Sequence, residues 1–352
     1  MNNIFDVSCV RYSNREGNLD VHTQAVVKSA KHFPYFIINN QKLIFKSQSK
    51  TKPFCTPLFS YSEVYWSYLL NHYFDEEIPR YKLAICKGIE EKKNQPKSRE
   101  HGVLVPSIID GDNKLVNLLE YYQSRKDAPF DLEYINYCGK LYDYRKILTS
   151  APFIDNELGE QLAEQILYSY LRKDQNFHYE NIAFQSKDKL AQPIDHEFST
   201  PFLFPEDRNG FLGNMMINFD DEYEDEDSLL NKTINLIVKL YPSVSKAFAL
   251  HLGKMITEIK ENPIQLIDNG YLVPFSSLDF QIGQARYKAG NEKLANHCEE
   301  EIAKRRFSLD MDNFSFTLQS DTIKSGEQLL NAINKQIDKD KAYIKVKHGK
   351  RP

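Results

Sequence analysis

The sequence predicts an α+β fold in which a small β-rich part, residues 1–112, precedes a larger helical part, residues 113–352. In the first part, short runs of β-branched and aromatic residues are interrupted by one helical segment. From about residue 115, apolar residues instead recur at three- and four-residue spacing, which is typical of helices. Hydrophobic residues make up 41% of the chain, enough for a sizeable core.

Four strands and one helix are predicted in the N-terminal part. The segment SEVYWSYLLNHYF (62–74) has the apolar coverage of a helix, and Ser62 is placed to cap it. The two prolines of KTKPFCTPLF (50–59) indicate an irregular connector before that helix. The strand-like runs are FPYFII (33–38) and KLIFK (42–46), with Asn39-Asn40 between them as a predicted hairpin turn, and then YKLAICKG (81–88) and GVLVPSII (102–109).

Helices are predicted throughout the C-terminal part, from apolar residues spaced three and four apart. The helical segments are LVNLLEYYQ (115–123), ELGEQLAEQILYSYLRK (157–173), SLLNKTINLIVKLY (228–241), VSKAFALHLGKMITEIKE (244–261) and the stretch near 325–340.

Charge and composition argue against several classes of protein. The net charge of −4 gives no general attraction to nucleic acid or anionic membrane, and no apolar run is long enough to span a bilayer. The five cysteines form no CxxC pair, so neither structural zinc nor a disulfide framework is indicated. We therefore expect a cytoplasmic protein that contacts neither nucleic acid nor membrane directly.

One hairpin-like segment carries two candidate metal ligands. Asn181 starts the strand-like NIAF, a polar turn follows, and the apolar AQPI ends in Asp195. An amide oxygen and a carboxylate brought together by a hairpin are hard ligands of the kind that magnesium prefers. The alternative is an ordinary hairpin with turn-favouring Asn and Asp.

Two charged residues of the N-terminal part are candidates for a cleft. Lys46 ends a strand-like run, and Glu63 lies near the start of the following helix. A lysine in a cleft needs a partner, because burying an unpaired charge is costly. Taken singly, each residue can also be read as ordinary surface charge.

Four motifs in order resemble HipA-like serine/threonine kinases, most closely the small cell-translocating kinase branch. KLIFKSQSK and FSYSEVYWSYLLNHYFDEEIPRYKLAICKG resemble the N-lobe of that family. NFHYENIAF resembles its catalytic loop, usually D-R-H-x-x-N-[FW]-[GA]-F, and QPIDHEFSTPFLFP resembles its metal-binding segment, usually P-I-[FY]-D-x-G-x-S-L-x-P. The resemblance extends over roughly residues 30–210.

The resemblance implies a protein-kinase-like, two-lobed fold that binds ATP and Mg²⁺. By position, Lys46 would contact the nucleotide phosphates and Glu63 would pair with it, while Asn181 and Asp195 would hold magnesium. The N-lobe would span the β-rich part and the C-lobe the helical part.

Further residues take roles from the same resemblance. His178 matches the histidine of the catalytic loop. The backbone around 103–107, centred on Val105, would face the adenine as the hinge strand. No glycine-rich loop precedes Lys46, and Ser29 and Lys31 stand where such a loop would meet phosphates.

The position of the catalytic aspartate has two candidates. The family places that aspartate five residues before the metal-binding asparagine, where this chain has Asn176. Asn cannot take a proton from a hydroxyl as a carboxylate can, although it can orient one by hydrogen bonding. Asp174 lies two residues earlier and is the other candidate. The glycine that follows the family's metal-binding aspartate is also replaced, by His196 and Glu197.

The implied function is that of an ATP-dependent protein serine/threonine kinase with a toxin- or effector-like role. Its substrate would be a protein, including the chain itself, and an antitoxin-like or regulatory protein would be its partner. The alternative is a pseudokinase that binds nucleotide or a partner without transferring phosphate, which Asn176 and the missing glycines favour.

Overall fold

The computed structural model of the protein describes residues from the first strand to the last helix with gaps between them. They are residues 3–13, 19–28, 35–38, 41–47, 57–87, 99–107, 116–123, 144–151, 153–154, 156–172, 174, 177, 179, 181–186, 189–193, 196, 229–262, 307–310, 315–318 and 320–348.

Six antiparallel strands near the N-terminus form a closed barrel in the order β1-β2-β3-β4-β6-β5. Strand β5 closes the barrel by pairing with β1, so the backbone groups of an edge strand find partners. The predicted hairpin is confirmed, since Ile38 pairs with Gln41 across its turn. The strands are β1 (Asn3–Ser13), β2 (Leu19–Lys28), β3 (Tyr35–Ile38), β4 (Gln41–Ser47), β5 (Lys82–Lys87) and β6 (Arg99–Pro106).

Helix α1 (Pro57–Tyr73) connects β4 to β5 and packs against β5 and β6. The prediction that Ser62 caps this helix is wrong, because the helix already begins at Pro57. Proline suits the first helical position, where its missing N–H has no intrahelical acceptor to lose. Part of the predicted irregular connector is therefore helical.

The rest of the described chain is mainly helical, with two small sheets. The predicted helix at 115–123 is shorter than expected, because its second and third residues pair with β8 as a strand. The remaining elements are β7 (Val116–Asn117), α2 (Leu118–Gln123), α3 (Arg145–Leu148), α4 (Glu157–Arg172), β8 (Ala183–Ser186), β9 (Lys189–Leu190), α5 (Leu229–Leu240), α6 (Pro242–Glu261), β10 (Phe307–Asp310), β11 (Ser315–Leu318) and α7 (Ser320–His348).

One cluster of buried apolar side chains joins the strand-rich and helical parts. It includes Phe45 of β4, Trp66 of α1, Ile166 of α4, Ile237 of α5 and Leu329 of α7. Twelve of the sixteen residues of α4 are buried, so this helix is enclosed on nearly all sides. Helix α4 contacts α3, α6, α7 and β9. These contacts fix the position of the helix and of the residues at its C-terminal end.

The predicted mixture of strands followed by helices is confirmed, whereas the division into two lobes at residues 112 and 113 stays a prediction. Helices α4, α5 and α6 begin and end within two residues of the predicted segments. In the described part of the chain, none of the helices combines the length and apolarity that a bilayer-crossing segment needs.

Gly159, in the first turn of α4, allows a close approach between that helix and the start of α6. A Cβ added there would lie 2.0 Å from the Phe153 carbonyl oxygen and 2.0 Å from the Tyr241 hydroxyl. The Tyr241 hydroxyl donates to that same carbonyl at 2.7 Å. We expect Gly159→Ala to lower the free energy of unfolding by about 1–3 kcal/mol, measured by urea denaturation.

Gly253, in the middle of α6, is the matched control. Its added Cβ would be 3.8 Å from the Leu330 side chain, an ordinary contact. Gly253→Ala should therefore leave stability unchanged or raise it by up to ~1 kcal/mol, as expected for alanine in a helix. Equal losses in the two variants would contradict this account of Gly159.

Candidate functional site

Lys46 and Glu63, two residues singled out in the sequence, form an ion pair between β4 and α1. Leu43 and Phe45 are buried, and the intervening residues of β4 are less so, as alternation along a strand requires. The Glu63 carboxylate is fully buried, while the Lys46 side chain keeps 17% of its surface exposed. The lysine amine therefore lies at the border between the core and solvent.

The second oxygen of Glu63 holds a distant segment of the chain. Its Oε2 accepts a hydrogen bond of 2.9 Å from the backbone N–H of His196. The carboxylate is thus shared between a lysine amine and a backbone amide, which compensates the burial of its charge. The amide belongs to the residue that follows Asp195 in the chain.

The side chain of His196 is buried and fixed on two sides. Its ring centroid lies 5.2 Å from that of Tyr81, with 34° between the planes. Its Nδ1 contacts the guanidinium Nη1 of Arg172. Because a guanidinium can only donate, this contact suits an imidazole whose Nδ1 is the accepting nitrogen.

Arg172, the last residue of α4, connects His196 to Asp174. Its Nη2 donates to Asp174 Oδ2 at 2.8 Å, and both side chains are 1% exposed. The contacts form an unbroken chain, which we call the buried relay: Lys46, Glu63, His196, Arg172 and Asp174.

The place of Asp174 in the buried relay bears on its predicted catalytic role. A general base must come within hydrogen-bond reach of the substrate hydroxyl. The Asp174 carboxylate is buried and paired with Arg172, so its role as a general base stays a prediction. The geometry favours a structural role, in which Asp174 neutralises the buried guanidinium.

Two other predicted site residues are placed by the structure without a demonstrated link to the buried relay. Asn181 is half-buried beside Ile182, whose carbonyl accepts from the Leu118 N–H at 2.8 Å. Val105 lies on β6 opposite Ile44 of β4 and is half-buried. Five predicted site residues lie outside the described residues: Ser29, Lys31, Asn176, His178 and Asp195.

Side chains of α4 hold the segment that leads toward Asp195. The Gln165 side-chain amide donates to the Ala191 carbonyl at 2.7 Å, and Gln161 Oε1 accepts from the Leu190 N–H at 2.7 Å. The Gln192 amide then donates to Asp75 Oδ2 at 3.0 Å. This segment is therefore anchored at three successive residues, 190 to 192, shortly before the predicted metal ligand Asp195.

Acidic groups lie close together beside that anchored segment. Burial, with smaller contributions from the nearby carboxylates of Asp75 and Glu160, raises the pKa of Glu164 to about 7. Burial likewise raises the pKa of Tyr168, with smaller contributions from Glu164 and Asp75. Glu164 therefore changes charge near neutral pH.

Sequence reasoning did not identify Arg172 or Tyr81 as part of the site. Arginine is rarely fully buried, so the last turn of a helix gives no signal that its arginine points inward. The one available signal was that residues 196 and 197 include no glycine, whereas the resembled pattern D-x-G has one. Among the residues that the structure describes, no group of three or more His, Cys, Asp or Glu residues could hold a metal ion.

Comparison with known proteins finds a weak structural likeness to a solved structure. No protein-family model matches the sequence, and no curated protein matches it. Among solved structures, the chain is similar to one titled "Crystal structure of A Helicobacter pylori proinflammatory kinase CtkA". The sequences are 11% identical, the TM-score is 0.37, and the match covers 77% of this chain and 94% of that chain. Similarity at this level does not by itself assign a family or an activity.

The raised pKa of Glu164 predicts how stability depends on pH. A carboxyl that binds its proton more tightly in the folded state stabilises the fold fully below its unfolded pKa, about 4.5. That stabilisation is lost as pH rises through about 7. We expect Glu164→Gln to raise the free energy of unfolding relative to wild type by about 1–2 kcal/mol more at pH 8 than at pH 5, allowing for partial exposure.

The measurement is urea denaturation of both proteins at the two pH values. Glu160→Gln is the control, because Glu160 is on the same helix but exposed. Its difference from wild type in the free energy of unfolding should change little between the two pH values. If wild type and Glu164→Gln differ in the free energy of unfolding by the same amount at pH 5 and pH 8, the raised pKa is contradicted.

Proposed function

We propose that this chain binds ATP with magnesium and transfers the γ-phosphoryl group to a serine or threonine of a protein, in the manner of HipA-like kinases. The observation that carries the proposal is the buried carboxylate of Glu63. It is shared between the Lys46 amine and the backbone N–H of the residue after Asp195. A strand lysine, a helix glutamate and the metal-binding segment are thereby joined in one place.

The ion pair suits Lys46 for binding phosphate. A lysine side chain is long and flexible, and fixing it by a carboxylate reduces the freedom that it would lose on binding. Its partial exposure leaves the amine accessible to a nucleotide from the solvent side. Positioned cations that meet the triphosphate supply most of what phosphoryl transfer requires from a protein.

Magnesium would be held by Asn181 and Asp195 in this proposal. An amide oxygen and a carboxylate are suitable donors, with phosphate oxygens and water completing the coordination. Asp195 adjoins His196, and consecutive Cα atoms lie about 3.8 Å apart. The bound ion would neutralise charge on the phosphates.

The transfer breaks the bond between the γ-phosphorus and its bridging oxygen, which leaves with ADP, and forms a bond from that phosphorus to the substrate hydroxyl oxygen. The hydroxyl proton passes to an oxygen of the transferred phosphoryl group. With Asp174 enclosed in the buried relay, we assign Asn176 to orient that hydroxyl. The resemblance further suggests a toxin- or effector-like role with an antitoxin-like or regulatory protein partner, and both belong to the proposal.

A second candidate is a nucleotide-binding regulator that does not transfer phosphate. The enclosure of Asp174, together with Asn rather than Asp at position 176, favours it. Such a protein would keep the Lys46–Glu63 pair for binding while having no carboxylate to accept the proton.

The nucleotide-binding role is tested by replacing the ion pair with neutral side chains of similar size. Lys46→Met/Glu63→Gln removes both charges at once, which avoids leaving a buried charge unpaired. We expect MgATP affinity, measured by calorimetry, to fall by about tenfold or more, because one charge-assisted contact is worth roughly 1.5–3 kcal/mol.

The matched control uses another lysine–glutamate pair. Lys189 and Glu77 are 3.4 Å apart and exposed, so Lys189→Met/Glu77→Gln should bind MgATP as wild type does. Equal affinity in the wild type and the Lys46 double variant would exclude this site for nucleotide.

Transfer itself is tested with γ-labelled ATP, following label on the chain and on added protein substrates. Asp195→Asn should reduce transfer by about 100-fold or more, because a metal-held phosphate loses its charge neutralisation. Asn176→Asp restores a carboxylate and should increase transfer. Wild type that binds MgATP but transfers no label, with Asn176→Asp gaining activity, would select the second candidate.

A further inference from the structure

The buried relay continues beyond the residues that the proposed nucleotide site needs. Arg172 uses two nitrogens of its planar guanidinium, Nη1 toward His196 and Nη2 toward Asp174. In the proposed nucleotide site, neither Arg172 nor Asp174 takes a phosphate-binding or metal-binding position. The burial of this charged pair therefore needs a reason other than contact with phosphate or metal.

Stability alone does not account for this pair. Taking two charges out of water is expensive, and apolar residues of similar volume often do as well or better. The compensation is also incomplete, since Arg172 Nε has no hydrogen-bond partner in the described part of the chain. An arrangement with such a cost is better explained by the geometry that it imposes.

That geometry is a fixed orientation of residue 196. The guanidinium holds the imidazole at Nδ1, and Tyr81 covers its ring at 5.2 Å between centroids. Tyr81 is in turn held, because its backbone N–H donates to Ser67 Oγ at 3.0 Å. With its side chain held on two sides, His196 presents its backbone N–H to Glu63.

We propose that Arg172 is a positioning residue for the nucleotide site: through His196 it fixes the amide that orients Glu63, and so it determines the orientation of Lys46. Asp174 has the supporting role of holding the guanidinium in place. The positioning of Lys46 stands on the described contacts, while its consequence for ATP rests on the proposed function.

The test removes the contact between Arg172 and His196 in two ways. Arg172→Lys keeps a positive charge for Asp174, but an ammonium cannot reproduce the fork that reaches both partners. Arg172→Met/Asp174→Asn removes both charges and leaves no buried ion unpaired. Near-ultraviolet circular dichroism shows whether each variant folds. If one variant does not fold, the other still tests the proposal.

The first readout is the reactivity of the Lys46 amine in the nucleotide-free protein. Acetic anhydride labelling is followed by mass spectrometry, with the exposed Lys189 as internal reference. When His196 shifts, Glu63 holds the lysine less firmly. Lys46 should then label about 3- to 10-fold faster relative to Lys189, corresponding to one weakened hydrogen bond.

The second readout is MgATP affinity in the same variants, which should fall by a similar factor. A merely structural role for Arg172 would lower stability without changing the relative labelling of Lys46. Unchanged labelling in the folded variants overturns the proposal. If wild type does not bind MgATP but labelling changes as expected, the positioning role stands and the proposed function fails.

Discussion

The carboxylate of Glu63 is the interaction on which the site depends. It is fully buried, and it survives there because two donors from different parts of the chain meet it. One donor is the Lys46 amine of strand β4, and the other is the backbone N–H of His196, which follows α4 in the chain. Because an uncompensated buried carboxylate would be costly, its two contacts hold β4, α1 and His196 in one arrangement.

Helix α4 provides the support for that arrangement. Its buried face is part of the apolar core, while the side chains of Gln161 and Gln165 hydrogen-bond to the backbone at 190–191. Its last residue, Arg172, extends the contacts to His196. Helix α4 therefore positions both the backbone at 190–191 and the side chain of His196.

The sequence predicted the order of elements well where the pattern was local. Helix α6 and the β3–β4 hairpin follow from residue spacing and turn-favouring residues, which act within a few positions. The start of α1 was predicted too late, because an apolar pattern does not show that Pro57 is already helical. The two residues of β7 were predicted to be helical, since their strand pairing comes from β8, far along the chain.

The residue types of the site could be selected from the sequence, and Lys46 and Glu63 were. Their pairing with one another was expected only through a resemblance. The hydrogen bond from the His196 N–H to Glu63 was not expected at all. The sequence by itself determined which segments become strands and helices and which charges stand at their ends, because those properties depend on neighbouring residues. Only the tertiary structure decided that Arg172 and Asp174 are enclosed together and linked to Glu63. Burial and hydrogen bonding between residues more than a hundred positions apart are properties of the packed chain and leave no periodic trace in its sequence.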